Sequence, residues 1–430
     1  MSAKFAADSS RETVPLAALQ RGHVGELLWW MLFAYLLLIF FCSFWLHVGK
    51  VKAGGQSLTY DRALFLSVST ATLSGFQQTI GPNDFTESIQ GPVILIILTL
   101  AGSLMAMIVG GLAAVRVLRM PFTDGQIIVG ALTLELMAVL AGTAVLYCAR
   151  ADLIDAVLQS ACALGNSGQV ITGTTSGLYG ERNRFPSFSA WQSQCILLPL
   201  SVIGGLGLPV VMELYDRLVG GAKRLSMHSR TVIKLTAGIY LVATVVLFIV
   251  ARVHRAPVTH TSRLAFLAAS TTAINARTAG FPFEVLDAFG HPAQWLIVLL
   301  MVIGASPAGT GSGLKATTFW HLFRGIRDIL RGRPVPRVVG IAAVWFAAYV
   351  LLAVGGFLLL SVVASQMNAD QAGFLTISAL SNVGLSHDPV SITGPGLFVL
   401  DLIMLAGRFA PLAVLWWMAG TTRDADVLVA

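Results

Sequence analysis

The chain has 430 residues, of which 56% are hydrophobic and 11% charged, with a formal net charge of +7. An average soluble domain is about 25% charged, so this composition excludes an ordinary soluble globule. The basic excess is spread over short loops and no soluble basic domain exists, which excludes nucleic-acid binding as its purpose.

Residues 1–27 are polar and mixed in charge and are expected to form a cytoplasmic N-terminal segment. They lack a small-residue cleavage site after a short apolar core, so no signal peptide is expected. Apolar runs then follow, most near the roughly 20 residues needed to cross a bilayer. They are Leu27–Trp45, Val93–Val115, Ile127–Cys148, Trp191–Leu214, Val232–Val250, Trp295–Ile303, Val338–Val363 and Leu397–Met418. The Trp295 run is short and counts as a span only if it continues past the Gly-rich stretch after it. On that reading there are eight spans.

Within each successive pair of spans lies a shorter, less apolar stretch: Asp61–Leu73, Asp152–Leu164, Ser262–Asn275 and Gln371–Leu380. Each starts at or near a cap-capable polar residue and ends just before a glycine. The pattern predicts half-helices that enter the membrane and turn back, which lipid tolerates only where protein or water surrounds the backbone. The expected fold is therefore an all-α integral membrane protein of four tandem helix–re-entrant P-loop–helix repeats around one pore. Repeat boundaries fall at residues 28–119, 120–219, 220–333 and 334–420, with a cytoplasmic tail at 421–430. With eight spans both termini share one side. The denser basic loops, Arg217–Arg230 and Arg324–Arg337, fall there, so that side is read as cytoplasmic.

The turning glycines are Gly75, Gly168, Gly280 and Gly384, spaced 93, 112 and 104 residues apart. Their segments read Thr72-Leu73-Ser74-Gly75, Asn166-Ser167-Gly168, Thr278-Ala279-Gly280 and Asn382-Val383-Gly384. Rings of backbone carbonyls replace the water shell of a cation in narrow filters. Glycine supplies the φ/ψ freedom that turning those carbonyls inward requires. The carboxyl end of each half-helix adds partial negative charge. No carboxylate occurs in the segments, which favours K⁺ over Ca²⁺ as the ion at the carbonyls. For any one of these glycines alone, helix packing is the alternative reading.

Several longer stretches carry a family resemblance. They are Ala276-Arg-Thr-Ala-Gly280-Phe281, the run from Ile303 through Lys315 to Phe319, Ile203-Gly-Gly-Leu-Gly-Leu-Pro209, and Gly407-Arg408-Phe-Ala-Pro411-Leu412. From about Leu28 to Met418 the chain resembles the membrane subunit of the Trk/Ktr/HKT superfamily of potassium transporters, most like the bacterial Ktr and Trk type. The resemblance implies four fused repeats with one filter glycine each, falling on Gly75, Gly168, Gly280 and Gly384. It also implies a homodimer in the cell (inner) membrane and a cytosolic ring of nucleotide-binding regulatory subunits. Gly75, where sodium-selective relatives carry serine, favours K⁺. The chain departs from the family at Ala101–Gly111, which lacks the usual Gly-Gly-Leu-Gly pattern, and at Gln169, where an apolar residue is commoner.

Gly304, Gly309, Gly311 and Gly313, with Pro307, interrupt what should be one span, and no ordinary helix tolerates that run. We read the segment as an intramembrane gate loop, an expectation the resemblance shares. Arg408 lies deep in the last span, where an arginine faces protein or an aqueous cavity. It is read either as a partner of the loop's carbonyls or as a structural anchor. Lys315 closes the loop, with snorkelling to the cytoplasmic face as the alternative. Arg277 is expected to brace the third half-helix.

Asp84, Glu87, Asp287 and Asp388 are read as solvated charges outside the filters, and Glu135 and Glu213 as paired with polar neighbours. Cys42, Cys148, Cys162 and Cys195 are read as small buried hydrophobes. No Walker loop, Rossmann fingerprint, nucleophile–base arrangement or metal-type spacing is present, so neither an enzyme nor an organic cofactor is expected. The expected function is K⁺ uptake, with membrane lipid as a further partner and the basic loops as docking surfaces for the regulator. The alternatives are a Na⁺-coupled or less selective K⁺/Na⁺ transporter and a non-conducting membrane assembly subunit.

Overall fold

A computed structural model describes residues 16–49, 57–76, 89–118, 120–149, 151–169, 189–220, 224–253, 261–281, 290–386 and 392–421. Asp84, Glu87, Asp287 and Asp388 lie outside them, as does nearly all of the 421–430 tail. The chain divides into two units, Met1–Leu38 and Ile39–Ala430. The described part of the first is the opening of helix α1 (Leu16–Val48), where Trp30 meets Phe33 edge-on.

Helices are the regular structure of the second unit's described residues. In order it carries the end of α1, α2 (Tyr60–Ala71), α3 (Gln90–Leu118), α4 (Asp124–Cys148), α5 (Leu153–Gly165), α6 (Leu198–Leu206), α7 (Leu208–Leu218), α8 (Met227–Val253), α9 (Ser262–Ile274), α10 (Gly290–Ile303), α11 (Ala316–Leu330), α12 (Arg337–Val363), α13 (Ala369–Leu380) and α14 (Pro395–Thr421). A π turn, Ser193–Leu197, opens α6, and another, Asn275–Ala279, closes α9.

Among the described residues six helices are long and apolar enough to cross a membrane, or seven segments if the bent pair α6–α7 counts as one. Two expected spans differ. The Trp191–Leu214 run is bent by 104° between α6 and α7. The cause is local: Gly207 sits at φ +90°, Pro209 has no N–H to give, and the Leu208 N–H leaves the helix for the Ala308 carbonyl at 3.2 Å. The Trp295 run ends with α10 at Ile303, and helix resumes only at Ala316.

The four short helices α2, α5, α9 and α13, like α3, bury more than half of their residues, while α4, α8 and α12 keep much of their apolar surface exposed. Side-chain caps open α9 and α13. The Thr261 hydroxyl accepts from the Leu264 N–H, and Asn368 and Gln371 form a capping box. Asp61 in the first turn of α2 accepts from the Gly394 N–H at 3.0 Å, which ties α2 to the approach of α14. The Thr261 cap is worth about 1 kcal/mol.

Packing follows chain order. α2 packs on α3 and α14; α5 on α3, α4 and α6; α9 on α8 with its π turn on α6 and α10; and α13 on α12, α14 and α10. Between α3 and α4 the buried Glu135 is paired with the Ser103 hydroxyl, and Arg116 bridges Asp124 at 2.7 Å. Glu213 accepts from the Ser226 N–H. The cysteine expectation is half corrected: Cys42 and Cys162 are buried, but Cys148 and Cys195 sit at exposed helix positions.

Candidate functional site

Each short helix runs into its glycine, and the four glycines meet. A Cβ placed on Gly75 would overlap the Ser167 carbonyl oxygen, and one on Gly168 would overlap the carbonyl of Gly280. A Cβ on Gly280 would overlap the Val383 oxygen, and one on Gly384 the Ser74 oxygen. The segments therefore form a closed ring in chain order. The Ala279 oxygen lies 2.8 Å from the Gly168 Cβ position, so the carbonyls of all four residues preceding the glycines lie at this ring. The ring is narrow, since the Gly280 Cβ position is also 3.5 Å from the Ser74 oxygen.

Backbone geometry explains how the chain turns. All four glycines have φ between +63° and +82°. Two residues earlier, Leu73, Asn166 and Asn382 are also left-handed, at φ +60°, +56° and +47°. The next residue then donates to a carbonyl five back: Ser74 to Ser69, Ser167 to Cys162 and Val383 to Ser378, at 2.8–2.9 Å. These are Schellman-type helix ends. The third segment keeps right-handed helix through its π turn, and there Gly280 itself donates to Asn275 at 3.2 Å. Thr278 lies in that turn.

Side chains lock the ring. The Asn382 amide donates to the Ser74 hydroxyl (2.7 Å) and to the Met404 carbonyl (3.0 Å). The Thr72 and Ser74 hydroxyls are 2.9 Å apart. Asn275 closes the third segment on itself through both backbone groups of Phe281. Gln169 is fully buried and donates to the Phe76 carbonyl at 3.4 Å, joining segments two and one.

The stretch 304–313 lies directly against this ring. Its own N–H groups find partners in the α6–α7 break: Ser306 donates to Gly205 and Thr310 to Gly204, at 3.1 and 3.0 Å. The Thr310 hydroxyl donates to the Leu164 carbonyl at 2.9 Å and accepts from the Asn166 amide at 2.7 Å. Three basic side chains take its carbonyls. Arg408 donates to the Thr310 oxygen (2.7 Å) and the Ser312 hydroxyl (3.1 Å), Lys315 to Gly311 (2.8 Å), and Arg277 to Gly304 through two nitrogens (3.1 and 3.2 Å). Lys315 thus folds back on the loop instead of snorkelling. Arg277, in the π turn that closes α9, ties the third segment to Gly304, the residue after α10.

Close approach also explains the loop's glycines. Gly304 and Gly313 have φ +59° and +79°, and a Cβ on Gly309 would lie 2.7 Å from the Gly205 oxygen. Sequence reasoning missed Thr310, Ser312 and Asn275 as organising residues. Only the Asn-two-before-Gly pattern of Asn166 and Asn382 offered a signal, since asparagine tolerates the left-handed region.

No family model matches the chain. It is 28% identical over 235 residues to the Ktr system potassium uptake protein B of Vibrio alginolyticus, covering 52% of this chain and 51% of that one. It is 29% identical over 240 residues to the protein of the same name from Bacillus subtilis (strain 168), covering 52% of each. The chain spans about half the length of the curated relatives it matches. Its fold is similar to the crystal structure of the potassium transporter TrkH from Vibrio parahaemolyticus, with a TM-score of 0.68 over 92% of this chain and 85% of that one, at 18% identity. These matches support the resemblance to Trk/Ktr potassium transporter membrane subunits, and with the apolar helices they support a multi-pass membrane protein.

Proposed function

We propose that the chain is the pore-forming membrane subunit of a Trk/Ktr-type potassium uptake system. The observation that carries this reading is the closed ring of Gly75, Gly168, Gly280 and Gly384, with the carbonyls of Ser74, Ser167, Ala279 and Val383 beside it. A K⁺ ion on this axis exchanges water for these oxygens, under the negative ends of α2, α5, α9 and α13. The four-repeat, eight-crossing arrangement belongs to the same reading. It is supported by the cyclic packing of each short helix on the second helix of the preceding repeat. The third repeat's second crossing is then α10, the loop and α11 together.

The loop 304–313 acts as the gate. Its anchors are hydrogen bonds worth about 0.5–1.5 kcal/mol each, or about 1.5–3 to charged groups. A change of a few kcal/mol in a partner's binding is enough to shift such an equilibrium. Both termini are cytoplasmic on this reading, the subunit works as a homodimer, and a cytosolic nucleotide-binding ring docks at Arg217–Arg230 and Arg324–Arg337. The test is ⁸⁶Rb⁺ uptake into proteoliposomes, wild type beside Gly280→Ser, with K⁺ and Na⁺ as competitors. Uptake blocked by K⁺ but not Na⁺, and altered by the substitution, is expected. No flux from folded protein, with or without a regulatory partner, sinks the pore reading.

A further inference from the structure

Away from the ring, a cavity of about 590 Å³ lies between α6, α8 and α9. Ligand sites span roughly 300–1,000 Å³. Its walls are largely apolar, including Val202, Leu206, Ile233 and Ala273. Two lining residues, Pro199 and Ala237, are exposed and form its outer edge. Beyond them α8 continues with exposed Leu241, Val242 and Val245, the surface of a helix apolar enough to cross a membrane.

The inner end of the cavity has a different character. It is lined by Gly205, whose carbonyl accepts the Ser306 N–H, and by the buried Arg277, whose guanidinium holds the Gly304 carbonyl. The space thus runs from the outer surface of two apolar helices to two bonds that anchor the 304–313 loop.

We infer that this cavity is an acyl-chain site. One tail of a membrane phospholipid enters past Pro199 and Ala237 and ends against Arg277 and Gly205. The chemistry of the lining selects this occupant. Water needs two to four polar partners in a buried site. Here the Tyr240 and Ser270 hydroxyls bond each other and Gln194 bonds Thr271, which leaves the Thr236 hydroxyl as the one fully buried side-chain atom without a partner among the described lining residues. A phosphate head group would find Arg277 as the one basic side chain among the described lining residues, with Nε and Nη2 already on the Gly304 carbonyl. Hydrocarbon matches the walls, and hydrocarbon is the medium outside a mouth set on membrane-crossing helices. Filling the space beside both anchors favours the anchored loop. That consequence for flux rests on the gate reading above; the binding itself does not.

The test uses the full chain reconstituted in phosphatidylglycerol vesicles with a trace of the same lipid bearing a diazirine at the end of one acyl chain. After photolysis, labelled residues are mapped by mass spectrometry. Label on Ile233 and Ala273 is expected to exceed, several-fold, label on Leu351, an exposed apolar position of α12. Ala237→Trp at the mouth and Val202→Trp inside are each expected to cut the cavity label and spare Leu351. Label no denser than at Leu351, or unchanged in both variants, means ordinary surface lipid and overturns the proposal. So does a disulfide joining two copies through Ala237→Cys, which would put a second chain over the mouth. Because the readout is label and not flux, a non-conducting protein leaves the result meaningful. Loss of the label likewise leaves the pore reading standing.

Discussion

In the first, second and fourth glycine segments the residue two before the glycine turns left-handed, and the helix ends there. In the third the helix widens into a π turn and carries on to the glycine. The same ring position is reached by two routes, and the routes differ in what they attach to. Segment four reaches α14 through Asn382 and Met404, and segment two reaches the loop through Asn166 and Thr310. Segment three reaches the loop's first residue through a charged group, Arg277. Single π turns of this kind concentrate at functional sites. The ring draws a carbonyl from each of the four segments, but its supports are asymmetric, and among the four segments it is two and three that hold the loop.

The largest expected effect removes the shared feature. Gly280→Ala puts a methyl group into the Val383 carbonyl at a positive φ, and Gly75→Ala does the same against Ser167. Backbone on both sides leaves nothing flexible to yield. Uptake of ⁸⁶Rb⁺ should fall to background in both. Gly238→Ala on α8 has nothing within 4 Å of its Cβ. It should keep full uptake and gain about 0.5–1 kcal/mol of helix stability. Wild-type flux in Gly280→Ala would show that the ring is not the conducting path.

Next in size is the asymmetric support. Arg277→Gln loses a charged donor that makes two contacts with Gly304, a change of about 1.5–3 kcal/mol. Hydrogen exchange should rise at 304–313, and uptake without a regulator should increase several-fold. Faster exchange confined to 262–280 would mean that Arg277 braces its own half-helix and not the loop. Smaller still is the contrast between Asn166→Ala and Asn382→Ala. Each loses two amide bonds, about 2 kcal/mol in all. Only Asn166→Ala should speed exchange around Thr310, because only Asn166 touches it. Equal effects in both would mean that the loop senses the whole ring.

The short helices were legible to within a few residues, because each is a polar-capped apolar run stopped by glycine. The loop was legible as a break, since four glycines and a proline cannot make helix. The partners that hold it were not. Thr310 and Ser312 are ordinary polar residues whose roles arise from contacts 96 to 146 positions away in sequence. The bend in the Trp191–Leu214 run was written in Gly207 and Pro209, yet hydropathy alone reads through it. The partner of Arg277, the Gly304 carbonyl 27 positions further on, was not legible either.

The smallest expected effect tests the one departure inside the ring's border. Gln169 stands where an apolar residue is usual in the resembling family, and its amide bridges segments two and one at 3.4 Å. A bond at that distance is weak, and Gln159 still donates to the Gln169 backbone carbonyl at 3.4 Å whatever the side chain. Gln169→Leu should therefore cost no more than about 1 kcal/mol, much of it offset by the apolar surface leucine buries. The carbonyls of Ser74 and Ser167 stay fixed by their own helix-end bonds. Competition between K⁺ and Na⁺ in the uptake assay should then shift only slightly. A large shift toward Na⁺ would mean that this bridge, and not the helix ends, sets the spacing of the first two carbonyls.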